Sequence, residues 1–357
     1  MRSLGRRREL DGLRGLAIIA VFATHLFHSR FRGGAAGVDL FFVLSGFLIT
    51  APLLAEWSRY GSISFRAFWM RRSLRLLPAL AVFVPVGAAA AIVVGDSGDV
   101  VSLSVLASIF YFMNFLMADH TPVASTLAHT WSLSVEEQFY LVWPIVFVVI
   151  VSRSAGRTAL VRWLCLALVF FPLLRTVLYS SGADYTLMKV GPGSRFDLLA
   201  IGCLVAVIWC WDLVPAIVSR VRLALVPAVL FMLAVVLFGG PQWVGHLAVW
   251  GWSAIGLACA ILILNALDPR NRTFNATLRW GPLGWLGRLS YGLYLWHFAI
   301  LKLVRVWVPQ AGPGMVAVLT VAASLGAAAL SWRYVEAPFL ALKGRISARQ
   351  KELRVAG

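Results

Sequence analysis

Arg14 and His25 stand eleven positions apart in an apolar run, Leu10 to His28, that reads LDGLRGLAIIAVFATHLFH. On an α-helix that separation amounts to roughly 16 Å of rise and three turns plus about 20°, so both side chains project from one face. A guanidinium holds anions through charge-assisted, bidentate hydrogen bonds. An imidazole, with an unperturbed pKa of about 6.5, can take the proton of a hydroxyl near neutral pH. The pattern places Arg14 near a membrane surface and His25 inside the bilayer, where an ionisable group is costly and marks a candidate site. The plainer alternative is a neutral contact between helices for His25 and snorkelling to the headgroups for Arg14.

Other ionisable or hydroxyl groups interrupt apolar runs further along. Asp39 and Ser45 lie in GVDLFFVLSGFLI (37–49), and Glu136 and Glu137 in HTWSLSVEEQFYLVWP (129–144). Arg195 and Asp197 lie in SRFDLLAIGCLVA (194–206), His297 in SYGLYLWH (290–297) and Glu336 in WRYVEAPF (332–339). The two glutamates are expected at the start of a spanning helix, where the N-terminal dipole favours an acid. That accounts for one of them, and two are unusual. His297 is either a rival base or a hydrogen-bonded packing residue. No Walker A loop, dinucleotide fingerprint, G-x-S-x-G elbow or His/Cys metal spacing occurs.

The elements that must position these groups follow from composition. The chain has 357 residues, 60% hydrophobic and only 13% charged, with a mean hydropathy of +0.83. A water-soluble domain of that length could not hide so much apolar surface, so the fold expected is an all-α integral membrane protein. The net charge of +17 would suit nucleic acid, but the basic residues sit in loops beside apolar segments, where they fix orientation. The arginines at 2, 6, 7 and 8 ahead of an apolar run look like a signal peptide. Glu9, Asp11, Arg14 and His25 break that pattern, so a retained first helix with a cytoplasmic N-terminus is expected.

About ten transmembrane helices are expected, at 10–28, 37–49, 79–95, 133–152, 159–179, 195–212, 222–239, 247–266, 289–306 and 314–334. Residues 96–132 carry no Lys or Arg, and basic clusters on both sides of them require an odd number of crossings between 95 and 153. Residues 101–118 are therefore expected not to span, being re-entrant or packed on the outer side. The segment 56–77, with Arg59, Arg66, Arg71, Arg72 and Arg75, is expected to form an interfacial amphipathic helix ended at Pro78. Both termini are then cytoplasmic, with a single transmembrane domain at 1–342 and a short basic tail at 343–357. Cys165, Cys203, Cys210 and Cys259 lie in apolar stretches and are expected in the core rather than in disulfides.

The motif series resembles the acyltransferase family 3 of integral-membrane O-acyltransferases. LDGLRGLAIIAVFATH is similar to its opening motif, GVDLFFVLSGFLI to its second helix and RRSLRLLP, with Arg72 and Arg75, to its Arg-x-x-Arg motif. HTWSLSVEEQFYL, SRFDLLAIGCLVA, LGRLSYGLYLWH and YVEAPF follow in the family's order. Each block is weak alone, and seven in sequence are specific. The resemblance implies transfer of an acyl group, commonly acetyl, from cytoplasmic acyl-CoA, the donor co-substrate, to a hydroxyl of a sugar or glycosylated acceptor. It implies no metal and no nucleic acid, with the lipid bilayer of a bacterial cell membrane as the setting. His25 matches the family's essential histidine, and Arg14, Arg72 and Arg75 match arginines tied to the donor. Glu136 matches a motif position, and Asp39, Glu136 or Glu336 would orient the imidazole. Many relatives add an extracytoplasmic C-terminal domain. Here the chain stops about 20 residues after its last expected span, which would leave any second transfer step to the membrane domain or a partner. The competing reading is a transporter or flippase whose buried His, Asp and Glu form a proton relay.

Overall fold

A computed structural model of the protein describes residue 5 and residues 7–153, 156–211, 220–239 and 246–342, which are helices and connecting turns with no strand among them. The basic tail at 343–357, residue 212 and most of the 213–222 connection lie outside the described residues. In chain order the helices are α1 (Arg8–Leu26), α2 (Ala36–Tyr60), α3 (Phe65–Val94), α4 (Gly98–Ile109), α5 (Met113–Ala118), α6 (Trp131–Val151) and α7 (Gly156–Ser180). There follow α8 (Tyr185–Val190), α9 (Phe196–Cys210), α10 (Leu225–Phe238), α11 (His246–Leu267), α12 (Arg272–Leu278), α13 (Gly281–Trp307) and α14 (Pro313–Ser331). A 3-10 turn (Ala128–Thr130) precedes α6, and a π-helical turn (Trp332–Glu336) continues α14. Among the described residues six helical stretches are long and apolar enough to cross a membrane: Ala36–Tyr60, Phe65–Val94, Ala128–Val151, Gly156–Ser180, Val249–Leu267 and Pro313–Leu342. Large apolar side chains stand exposed along one side of α7, at Trp163, Leu166, Phe170 and Val177, as a lipid-facing surface requires.

The chain divides into two compact units. The first comprises Met1–Ile63, Tyr111–Thr121 and Trp131–Ser290. At its centre α9, apolar on every side, lies against α2, α7 and α11. Its approach to α2 is backbone on backbone. A Cβ on Gly46 would fall 2.0 Å from the Leu199 carbonyl oxygen, and one on Gly202 2.0 Å from that of Val43. Small residues permit this closeness, and dispersion and packing hold it where no water drives helices together.

The second unit comprises Ser64–Phe110, Pro122–Thr130 and Tyr291–Gly357. Here α4 carries the 122–130 segment through hydroxyls. Ser104 Oγ accepts from the Ala124 amide at 2.7 Å, and the Ser108 and Thr130 hydroxyls meet at 3.1 Å. The Asp96 carboxylate accepts from the Ser125 amide at 2.8 Å.

Three expectations change, and a fourth segment gains its detail. The amphipathic segment 56–77 is not a separate helix: α2 runs through Pro52 to Tyr60, and α3 runs unbroken through Pro78 and Pro85. Gly61, at φ 64°, ends α2, and Ser64 caps α3 by accepting from the Ala67 amide at 3.3 Å. A proline removes one backbone hydrogen bond, and the apolar turns flanking Pro78 keep the helix going without it. The span expected at 37–49 is correspondingly longer, with 25 residues in α2. Residues 101–118 form two short helices, α4 and α5, divided near Tyr111 at φ 56°. Of the cysteines, Cys203, Cys210 and Cys259 are buried, while Cys165 is exposed on α7 rather than in the core.

Candidate active site

Within the first unit, His25 occupies the last turn of α1, one residue before its end, and is half-buried. Thr24, its neighbour, closes the turn. The Thr24 hydroxyl donates to the Phe31 carbonyl and accepts from the Gly34 amide at 3.0 Å, tying the end of α1 to the start of α2. Arg14, two turns from the other end of α1, points its guanidinium at a helix neighbour. Its Nε and Nη2 both donate to the buried Ser290 hydroxyl on α13, at 3.1 and 2.9 Å.

Glu136 lies in the second turn of α6, and no acid occupies the first. The helix dipole decays within one turn, so it does not account for this carboxylate. Side chains hold it instead: Oε1 accepts from Ser45 on α2 at 3.0 Å, and Oε2 from the Tyr140 phenol at 3.0 Å. Such a carboxylate can orient a hydroxyl or receive its proton. Glu137 is half-buried beside it.

Asp39 and Asp197 are each engaged by an arginine. Arg195 Nη1 donates to Asp39 Oδ1 at 2.9 Å, both side chains being about 5% exposed or less. Arg175, wholly buried, makes a bidentate pair with Asp197 at 2.8 and 2.7 Å. Its remaining donors reach the Ser194 carbonyl (2.6 Å), the Val249 carbonyl (3.0 Å) and the Ser253 hydroxyl (2.7 Å). All five N–H groups of Arg175 are thereby used, and Ser253 also donates to Asp197 at 2.6 Å. This clamp joins α7, α9 and α11 and gives Asp197 a structural task.

The second unit holds the other expected residues. Arg72 and Arg75 lie one turn apart in the first half of α3, half-buried. His297 is buried, with Nδ1 at 2.8 Å from the Tyr294 carbonyl and 3.2 Å from that of Leu293. Glu336 is buried in the π-helical turn and accepts from Ser331 at 3.2 Å. Gly292 leaves room for it, since a Cβ there would lie 3.2 Å from the carboxylate. A π-turn inserts a residue and re-aims its side chain, a device frequent at functional sites.

Two residues were passed over at the level of sequence. Arg175 could have been found, because an arginine inside the apolar run of α7 is expensive unless paired. His129 opens the HTWSLSVEEQFYL block. It is buried, with Nε2 at 3.1 Å from the Leu295 carbonyl and its ring 5.6 Å from that of His297. Among the described residues no group of three or more His, Cys, Asp or Glu side chains could hold a metal ion.

The sequence is 33% identical over 344 residues to the peptidoglycan O-acetyltransferase OatA of Listeria monocytogenes, covering 92% of this chain and 55% of that protein. It is 33% identical to YrhL of Bacillus subtilis, named a candidate peptidoglycan O-acetyltransferase, over 92% of this chain and 54% of the relative. A protein of Staphylococcus aureus named a candidate O-acetyltransferase is 31% identical, with 92% of this chain and 56% of the relative covered. The chain thus spans about half the length of the curated relatives it matches. No solved structure matches it significantly. The motif order read from the sequence has its counterpart in a family-wide match to the "Acyltransferase domain" model over residues 7–333, and the chain belongs to the acyltransferase family 3.

Proposed function

We propose that this protein is a membrane O-acyltransferase that moves an acyl group, commonly acetyl, from cytoplasmic acyl-CoA to a hydroxyl of a sugar or glycosylated acceptor. The observation that carries this reading is similarity along 92% of the chain to proteins named O-acetyltransferases, the first a peptidoglycan O-acetyltransferase. Residues 1–342 act as one acyltransferase domain in the bacterial cell membrane, with both termini cytoplasmic. The ten spans are α1, α2, α3, α6, α7, α9, α10, α11, α13 and α14. Helix α4, with 12 residues and about 18 Å of rise, is shorter than the roughly 30 Å hydrocarbon core and stays out of the count, as does α5. The short α9 is compatible with spanning because protein rather than lipid surrounds it.

With this topology α1 and α3 both begin at the cytoplasmic side. At 1.5 Å per residue Arg14 lies about 9 Å from the start of its helix, Arg72 about 10 Å, Arg75 about 15 Å and His25 about 26 Å. Arg72 and Arg75, one turn apart on α3, bind the donor's phosphates bidentately. Arg14, steadied by Ser290, is a further guanidinium given over to the donor. His25 takes the proton from the acceptor hydroxyl as its oxygen attacks the thioester carbonyl, and returns it to the sulfur as the carbon–sulfur bond breaks. Glu136, already accepting two hydroxyl hydrogen bonds, positions polar groups beside the reaction path.

The test is purified protein in nanodiscs with labelled acetyl-CoA and a muropeptide or oligosaccharide acceptor. Label is expected to reach acceptor oxygen. Substrate translocation with no acetyl transfer would instead favour a transporter.

A further inference from the structure

We infer that Lys189, framed by Trp131 and Tyr185, forms a subsite for an anionic oxygen group on the sugar acceptor, an inference that rests on the O-acyltransferase reading. The backbone that carries the ammonium is placed with little freedom. Helix α8 is capped by Asp184, whose carboxylate accepts from the Leu187 and Thr186 amides at 2.9 and 3.2 Å. It is pinned on either side of Lys189 by the buried Met188 and Val190, and Arg195 Nε donates to the Lys189 carbonyl at 3.1 Å. Lys189 Nζ then lies 5.9 Å from the Trp131 ring centroid and 6.0 Å from that of Tyr185.

The charges around it do not cancel. Asp39 is taken by Arg195, whose guanidinium also stacks 3.8 Å over Trp252, and Asp197 is taken by Arg175. The Lys189 ammonium is the surplus charge. Among the described residues no hydrogen-bond acceptor meets it, and the Trp131 and Tyr185 rings are the aromatic faces beside it. Burial, and then the neighbouring Arg195, push the Lys189 ammonium below its usual range, while Asp39 pulls the other way. A half-buried cation with unused donors gains most from a carboxylate or phosphate, and rigid aromatic walls suit a sugar ring better than a mobile chain. The connection between α7 and α9 that carries α8 faces outward in the proposed topology, where an external glycan arrives.

The test compares cellobiouronic acid with cellobiose, which differ by one carboxylate, by saturation-transfer NMR on protein in phosphatidylcholine nanodiscs. The wild type is expected to bind the acidic disaccharide at least tenfold more tightly. Lys189→Gln should bring the two within threefold, and Lys189→Arg should keep most of the preference. A wild type that does not discriminate overturns the subsite without recourse to any variant, and so does a preference that survives in a folded Lys189→Gln protein. Nanodiscs containing phosphatidylglycerol separate the two sources of anion. Loss of the preference there assigns Lys189 to a lipid headgroup and overturns the acceptor assignment, whereas its persistence supports the acceptor. Acetyl transfer from acetyl-CoA, followed on the same preparations, keeps the two readings apart. Discrimination without transfer leaves the subsite and removes the enzyme reading, and transfer without discrimination does the reverse.

Discussion

At the scale of single residues, the two histidines singled out from the sequence have different surroundings. His25 is half-buried at a helix end, whereas His297 is buried with Nδ1 against two carbonyls of its own helix. With His25 as base, His25→Ala should lose the roughly 10²- to 10⁴-fold contributed by general-base catalysis while still binding donor. His297→Ala should lose stability before it loses chemistry. Acetyl transfer by both purified variants, with donor binding measured alongside, decides this, and full activity in His25→Ala removes the mechanism. The Arg175–Asp197 clamp sets a second expectation. Arg175→Met strands a buried carboxylate and should cost about 3–5 kcal/mol, much of it recovered in Arg175→Met with Asp197→Leu, because breaking a buried pair costs more than replacing it. Thermal unfolding in detergent reads both variants.

At the scale of elements, backbone contact between α2 and α9 sets the tolerance of the first unit. Gly46→Leu or Gly202→Leu places a side chain where a carbonyl oxygen already sits 2.0 Å from the Cβ position. Either should destabilise by at least the 1–3 kcal/mol typical of overpacking, roughly, and lower the yield of folded protein on size-exclusion chromatography. The pair α4 and α5 carries a topological expectation. With both on the outer side, a cysteine at Thr121 should react with an impermeant maleimide applied from outside, and reaction only from the cytoplasm removes the ten-span count. The missing basic residues of 96–132 are the reason 101–118 is read as non-spanning. The continuity of α3 through Pro78 was not, since a proline reads as a boundary in sequence while the surrounding bilayer favours continued helix.

At the scale of the whole molecule, the donor reading sets its clearest expectation on Arg72 and Arg75, one turn apart on α3. Charge-assisted hydrogen bonds contribute roughly 1.5–3 kcal/mol each, so Arg72→Ala and Arg75→Ala should each raise the apparent KM for acetyl-CoA by about ten- to a hundredfold. Unchanged donor affinity in the double variant returns both to anchors of membrane orientation.

The amino-acid sequence by itself determined the membrane class, the helical secondary structure and the succession of motifs that the family match repeats. Composition and apolar run length are properties of the chain alone, and hydrocarbon admits few backbone solutions other than helix. It also determined that Arg14 and His25 share one helix face, since spacing is decisive within a helix. Tertiary structure alone decided the partners. Asp39 was a candidate to orient His25, yet its carboxylate meets Arg195, 156 positions away. A helix dipole could account for one of Glu136 and Glu137, yet Glu136 is held by Ser45 on another helix and by Tyr140. The surplus charge of Lys189 emerges only once the neighbouring acids are seen to be taken. Pairing between helices depends on which faces pack, and residue spacing along one chain carries no record of that.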